Sequence, residues 1–276
     1  MIHKLLHISI SRIMLCCAAL LPLFCACNNT PEPQPATIAG HTTLEDLEGH
    51  SVAVIEGSTS DVLLSDSNNF SNITLVRCPS PTDIISAVES GKADCGITDT
   101  VVLMTLDMEK HGLAIDFNLP GGFDVAAAFN PADKELCNKF NDFLVQIKSD
   151  GTLEEMLARW SNPTPDTIIV PNMPELANLK GHPLEVATMI DNPPFSFYKD
   201  NIWTGFEVEM IMRFSIFINR PVHFSGYTFN EIIGILLDRK ADIAAANMFI
   251  TPDRADQVRF STPYYLCKTS CFSKAR

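Results

Sequence analysis

The chain has 276 residues, 46% of them hydrophobic, and carries 20 Lys and Arg against 33 Asp and Glu, a formal net charge of −13. Such an acid excess excludes nucleic acid and anionic membrane surfaces as charge-driven partners. The length suffices for two α/β units of about 100–125 residues each.

The N-terminus reads as a targeting segment: Lys4 and Arg12 make a basic start, Ile13–Ala26 is apolar, and Cys27 closes the run. Phe24-Cys25-Ala26-Cys27 resembles a bacterial lipobox, so residues 1–27 are expected to be a lipoprotein signal with lipid on Cys27. An ordinary secretory signal is the other reading. Removing Lys4 and Arg12 from the 20 basic residues leaves 18 against 33 acids, a net of −15. Residues 28–42 begin Asn28-Asn-Thr-Pro-Glu-Pro-Gln-Pro-Ala36 and form a Pro-rich tether that holds the body off a membrane. Beyond Cys27 no stretch offers the ~20 continuous apolar residues of a membrane span.

Residues 43–162 alternate strand and helix. Leu47–Thr59 reads as turn, strand and a Gly57-led polar loop that opens a helix. Ser86–Asp94 ends a helix and enters the strand Cys95–Thr98, after which Asp99 precedes a helix expected over Thr100–Lys110. A long helix, Lys134–Lys148, and the run Asp150–Trp160 close the segment. Residues 163–181 hold Pro163, Pro165, Pro171 and Pro174 and read as an irregular connection between two lobes.

In residues 182–276 the strand Leu184–Thr188 leads to Pro193 and Pro194, which neither propagate a helix nor donate to a strand ladder. They stiffen a loop that projects Phe195 and Phe197 from the end of the sheet. Gly205 precedes Phe206–Ile218, whose apolar positions recur at helical spacing. Thr251 is a good N-cap and Pro252 suits the first helical position, so Arg254 falls in the opening turn, a natural seat for a carboxylate.

An internal repeat links the two halves. Thr82-Asp83-Ile84-Ile85 is followed by Lys92-Ala93-Asp94, and Asn230-Glu231-Ile232-Ile233 by Lys240-Ala241-Asp242, at an offset of 148 residues (Asp83 to Glu231). Each copy reads as an amphipathic helix, a basic stop and a short buried strand, which argues for duplicated units rather than one large sheet. Cys78 and Cys95 read as buried fillers, while Cys267 and Cys271 are too far apart on an extended strand to bridge directly. The histidines show no metal-ligand spacing, and no nucleophile elbow or phosphate-binding glycine loop is present; neither a metal nor a cofactor is expected.

Three motifs in order, Asp191-Asn-Pro-Pro-Phe195-Ser-Phe197, Thr204-Gly-Phe206-Glu-Val-Glu209 and Phe249-Ile-Thr251-Pro-Asp-Arg254 running on to Phe260-Ser-Thr-Pro-Tyr264-Tyr265, resemble the first lobe of the family 3 periplasmic solute-binding proteins, polar amino-acid receptors of ABC importers. Residues 43–160 resemble the second lobe of the same receptors. The resemblance implies an α/β, two-lobed periplasmic-binding-protein-like fold of type II, with the ligand cleft between lobes and the lobe order reversed. The chain is then either circularly permuted or cut from a tandem array.

The resemblance also implies site residues. Arg254 would grip a ligand carboxylate, with a surface Arg paired to Asp253 or Asp256 as the alternative. Asp99 would take an ammonium, or cap the helix behind it. Thr59 and Ser60 would close over the carboxylate, or act as caps. Phe229 would wall the cleft, or sit in the core. Asn192 stands where the family often has Tyr, Phe195 follows it, and Phe249 stands where Ser or Thr is frequent, with Asn247 two residues earlier able to offer an amide. Ordinary α-amino-acid binding is put in doubt by these departures, whereas capture of some small polar solute is not. The function implied is a lipid-anchored receptor in the cell envelope that delivers a small-molecule solute to an ABC permease. A sensory or envelope module without transport is a second class, and an enzyme on this fold, such as a dehydratase or a lytic-transglycosylase relative, a third.

Overall fold

A computed structural model of the protein describes residues 41–161 and 170–275. The expected signal, Cys27, nearly all of the tether and residues 162–169 lie outside the described residues. From the N-terminal side the elements are β1 (Ser51–Ile55), α1 (Thr59–Ser65), β2 (Thr74–Cys78), α2 (Pro81–Ser90), β3 (Cys95–Asp99), α3 (Thr100–Met104) and β4 (Leu113–Asn118). Then come β5 (Phe123–Val125), β6 (Ala128–Phe129), α4 (Lys134–Ser149), α5 (Thr152–Ser161), β7 (Leu184–Met189), β8 (Asp191–Asn192), β9 (Ser196–Lys199) and β10 (Ile202–Thr204). The rest are α6 (Phe206–Phe217), β11 (Val222–Tyr227), α7 (Ile232–Leu237), β12 (Ile243–Ala244), α8 (Pro252–Ala255), β13 (Arg259–Phe260), β14 (Tyr265–Cys267) and β15 (Thr269–Lys274). The helix expected to reach Lys110 stops at Met104, because Thr105 turns its hydroxyl back onto the Val102 carbonyl and the chain leaves the helix there.

The strands form two five-stranded sheets, β2-β1-β3-β15-β4 and β11-β7-β12-β6-β13, each the floor of one lobe. In the first, β1 pairs in parallel with β2 and β3 while β15 runs antiparallel between β3 and β4. Its two faces are covered separately. Val52 and Val54 pack with Leu47 and Leu64 of α1's side, and Ala53 packs with Ile84, Ile85 and Val88 of α2 and with Phe272. Gly96 is required there: a Cβ would stand 2.7 Å from both the Ile84 Cγ2 and the Phe272 ring. The second sheet packs on one face against Phe140, Phe143, Met156, Trp160 and Phe214 from α4, α5 and α6, and on the other against Ile232 and Leu236 of α7.

The two repeat copies lie in different sheets, α2–β3 in the first and α7–β12 in the second. The sequence segments and the lobes, however, do not coincide. Residues 43–162, expected as one lobe, send β6, α4 and α5 to the β7 lobe; residues 182–276 send β15 to the β1 lobe. The physical reason is strand pairing: β6 bonds β12 and β13, and β15 fills the gap between β3 and β4. The chain therefore passes between the lobes twice, through the antiparallel ribbon β5–β14. The elements that flank the stretch 163–181, α5 and β7, both belong to the β7 lobe, so the connection expected between lobes falls between two elements of one lobe. Glu209 fixes that lobe's helices: fully buried on α6, it accepts from Arg159, Trp160 and Arg213.

Near the far edge of the first sheet, Asp116 accepts from the Ser273 hydroxyl at 2.9 Å and meets His41 Nδ1 at 2.9 Å, which sets the two extremes of the described chain side by side. Among the described residues no helix is long and apolar enough to cross a membrane. All five described cysteines are free and buried, so Cys267 and Cys271 do not bridge.

Candidate functional site

Between the lobes lies a small cleft of about 60 Å³. The β1 lobe contributes Thr59, Ser60, Thr98, Asp99 and Thr269; the β7 lobe contributes Asn192, Phe229, Asn247, Phe249 and Arg254. Seven of the eight expected site residues thus meet in one place. The exception is Phe195. It is buried, packs edge-on against Phe206 and Tyr265, and belongs to the aromatic core of the β7 lobe. Gly205 explains why: its φ of +127° and the approach of the Phe195 carbonyl to 2.2 Å of any added Cβ clamp the loop against the start of α6 and turn Phe195 inward.

Arg254 is carried by α8, where Thr251 caps the Arg254 amide and Pro252 opens the helix. Only 9% of it is exposed. Its guanidinium donates to the Phe249 carbonyl at 3.0 Å and, across the cleft, to the Gly57 carbonyl at 3.1 Å. It lies 4.9 Å over the centre of the Phe229 ring. Among the described residues no carboxylate pairs with it, neither Asp253 nor Asp256, so the surface-pair alternative falls. Burial without a counter-charge lowers its pKa from 12.5 to about 10. Phe229 serves both readings, walling the cleft under Arg254 while packing on the α7 core.

Asp99 occupies the N-cap position of α3, but its side chain makes no capping bond. Instead Asn247 Nδ2 donates to Asp99 Oδ2 from the opposite lobe, and the Cys267 thiol also hydrogen-bonds the carboxylate. Burial raises the Asp99 pKa from 3.8 to about 7 against the pull of those two donors. Part of the residue remains open to the cleft, which softens that rise without reversing it. The capping reading of Thr59 and Ser60 falls as well: the α1 cap is Ser58, whose hydroxyl accepts from the Asp61 amide, leaving Thr59 and Ser60 in the first turn facing the cleft.

Sequence reading missed Glu207 and Tyr264. Glu207 is 1% exposed, accepts the Asn247 amide on both oxygens at 2.9 and 2.8 Å, and accepts the Tyr264 hydroxyl. Its pKa rises from 4.5 to about 7, chiefly through burial, with the nearby charge of Asp99 adding to the rise. The signal was present: carboxylates at 207 and 209 sit in the apolar run of α6, and both cannot reach water from a helix buried on several sides. Asn247, at φ +49°, thereby stands between two carboxyl groups, one on each lobe. Phe249 supplies its carbonyl to Arg254 and stacks its ring on Phe123 at 4.8 Å.

A cation on one lobe faces a carboxyl group on the other, with aromatic walls between, an arrangement suited to binding a small solute that bears both charges. Residues 184–276 match the family of bacterial extracellular solute-binding proteins, family 3. The putative ABC transporter arginine-binding protein 2 of Escherichia coli K12 is 36% identical over 83 residues, which cover 30% of this chain and 34% of the relative. The probable histidine-binding protein of Campylobacter jejuni is 31% identical over 85 residues, covering 31% of this chain and 33% of the relative. Among solved structures, an ancestral arginine-binding protein bound to arginine is 34% identical over 31% of this chain and 38% of that chain, with a TM-score of 0.30. The matched segment spans about a third of the length of these curated relatives.

Proposed function

We propose that this protein is a lipid-anchored receptor of the cell envelope that captures an amino acid or a related small zwitterion in its interlobe cleft and passes it to an ABC permease. The observation that carries the reading is Arg254, a buried cation without a carboxylate partner among the described residues, lining the same cleft as Asp99 of the other lobe. A bidentate carboxylate completes such a guanidinium, whose donors exceed the two hydrogen bonds it makes within the protein. The family assignment and the names of the relatives, arginine- and histidine-binding proteins, support solute binding rather than catalysis. The departures at Asn192 and Phe249 leave open which amino acid. Cys27 and the apolar run before it support the anchor. The reversed order of the family's two segments is part of the same proposal, and the meeting of His41 and Ser273 on Asp116 supports it, because the unpermuted chain would be continuous there. A thermal-shift screen of the proteinogenic amino acids against residues 41–276, followed by calorimetry on any that raise the melting temperature, tests the reading. Saturable binding of at least one amino acid is expected; none binding at millimolar concentration would overturn it.

A further inference from the structure

We infer that Met189 is a partition that limits the cleft to solutes with short side chains, and that trimming it joins the cleft to a larger cavity beside it; this rests on the solute-capture reading. The cleft holds about 60 Å³, far below the roughly 300 Å³ at which pockets for drug-sized ligands begin. A second cavity, of about 440 Å³, lies along the same seam between the lobes. The chain passes from one to the other at three places: Ser80, Asp191 and Thr228 line the larger cavity, and their successors Pro81, Asn192 and Phe229 line the cleft. Among the described residues only Met189, the last of β7, lines both.

Met189 is 4% exposed and shares an apolar core with Ile232 and Ala246 of its own lobe. Its side chain is unbranched and apolar, so what it gives the two cavities is bulk between them. A further hollow borders the cleft at Thr59, Ser60 and Arg254, but there the hydrogen bond from Arg254 to the Gly57 carbonyl spans the lobes, and a solute carboxylate on Arg254 would fill that end itself. A solute held by its head group between Arg254 and Asp99 must therefore displace Met189 before a long side chain reaches the larger cavity. An amino acid with a side chain the size of a methyl group has no need to.

The test is calorimetry with L-alanine, L-norvaline, L-norleucine and L-arginine on wild type, Met189→Ala, Met189→Val and Met189→Leu, with melting temperatures reporting folding. The uncharged series carries the comparison, because Asp83, Asp191 and Glu231 line the larger cavity and would attract a cationic side chain. A pocket with room to spare gains about 3- to 4-fold in affinity per added methylene. Wild type should instead weaken by about 10- to 100-fold from L-alanine to L-norleucine, the range for forcing methylenes into filled space. Met189→Ala should cut that discrimination at least about tenfold, Met189→Val should cut it in part, and Met189→Leu, of similar volume, should keep it. If Met189→Ala does not fold, Met189→Val and the wild-type series decide. Wild-type affinity that is level or rises along the series, tighter binding of L-arginine than of L-alanine, or unchanged discrimination in a folded Met189→Ala protein overturns the inference while solute capture stands. If wild type binds no amino acid at millimolar concentration, solute capture fails and the inference falls with it.

Discussion

Replacing Arg254 with Met separates the charge from the volume it occupies. Without ligand, two effects oppose each other. Burial that holds the pKa near 10 rather than 12.5 corresponds to roughly 3 kcal/mol against the charged form. In return the guanidinium makes hydrogen bonds at 3.0 and 3.1 Å to carbonyls and a contact with Phe229, each worth about 1–3 kcal/mol. Three contacts of that worth total about 3–9 kcal/mol against about 3, so Arg254→Met should lower the unfolding free energy by between about 0 and 6 kcal/mol. Ligand binding has no such compensation. A solute carboxylate brought to a desolvated site without its cation loses about 2–5 kcal/mol, a roughly 30- to several-thousand-fold weakening. The assay is calorimetry at physiological salt with an amino acid that the thermal-shift screen identifies, beside urea unfolding of both proteins. Wild-type affinity in a folded Arg254→Met protein would falsify the assignment of Arg254 to the carboxylate. A protein that fails to fold would instead show that the bonds to Phe249 and Gly57 outweigh the burial of charge.

Asp99 supplies the pH dependence. With its pKa raised from 3.8 to about 7, the proton competes with a ligand ammonium, so affinity for amine-bearing solutes should fall as pH drops through 7 and approach tenfold per pH unit below it; a flat profile from pH 5.5 to 8 would refute this. The same rise means the native protein binds more protons than the unfolded chain between pH 4 and 7, so this group's contribution to stability declines as pH increases across that window. Asp99→Asn should therefore gain melting temperature on wild type as pH goes from 5 to 8, and a constant difference would contradict it. Gly96→Ala should cost about 1–3 kcal/mol by overpacking, since its Cβ would enter the space of Ile84 and Phe272; an unchanged urea midpoint would show that α2 can shift freely. Cys27→Ser should abolish metabolic labelling with palmitate in a bacterial host, and persistent labelling would remove the anchor.

Local signals in the sequence carried well where one short stretch decides the outcome. The Thr251-Pro252 start of α8, the glycine before α6 and the paired helix–strand repeats all form where residue chemistry places them. Seven cleft residues were legible through the resemblance to the receptor family, whose motifs fall on them, and they line one cleft. What the sequence could not show is which lobe a strand joins. β15 is an ordinary short strand by composition, and only its pairing with β3 and β4 assigns it to the β1 lobe. Phe195 was misplaced for a similar reason: an aromatic beside a stiff loop can face the cleft or the core, and the approach of Gly205 to its backbone, a long-range fact, decides for the core. Glu207 was hidden because an acid on an amphipathic helix normally meets solvent, whereas α6 is enclosed by the sheet, α4, α5 and the β14 side of the cleft.

The residues expected to hold the solute also hold the lobes together. Arg254 bonds the Gly57 carbonyl and Asn247 bonds Asp99, and each contact runs from the β7 lobe to the β1 lobe. The β5–β14 ribbon that carries the chain between lobes offers only a short two-stranded ladder to resist their relative motion. Polar contacts at the centre of the cleft therefore join the lobes beside the apolar contact of Val101 on α3 with the core of the β7 lobe. A solute that engages Arg254 and Asp99 together adds to those contacts only when the lobes are close, and so gains its differential affinity for the closed arrangement. On the proposed reading, selectivity for solutes with both charges would follow from the geometry of the two lobes, with no requirement that either lobe alone distinguish them.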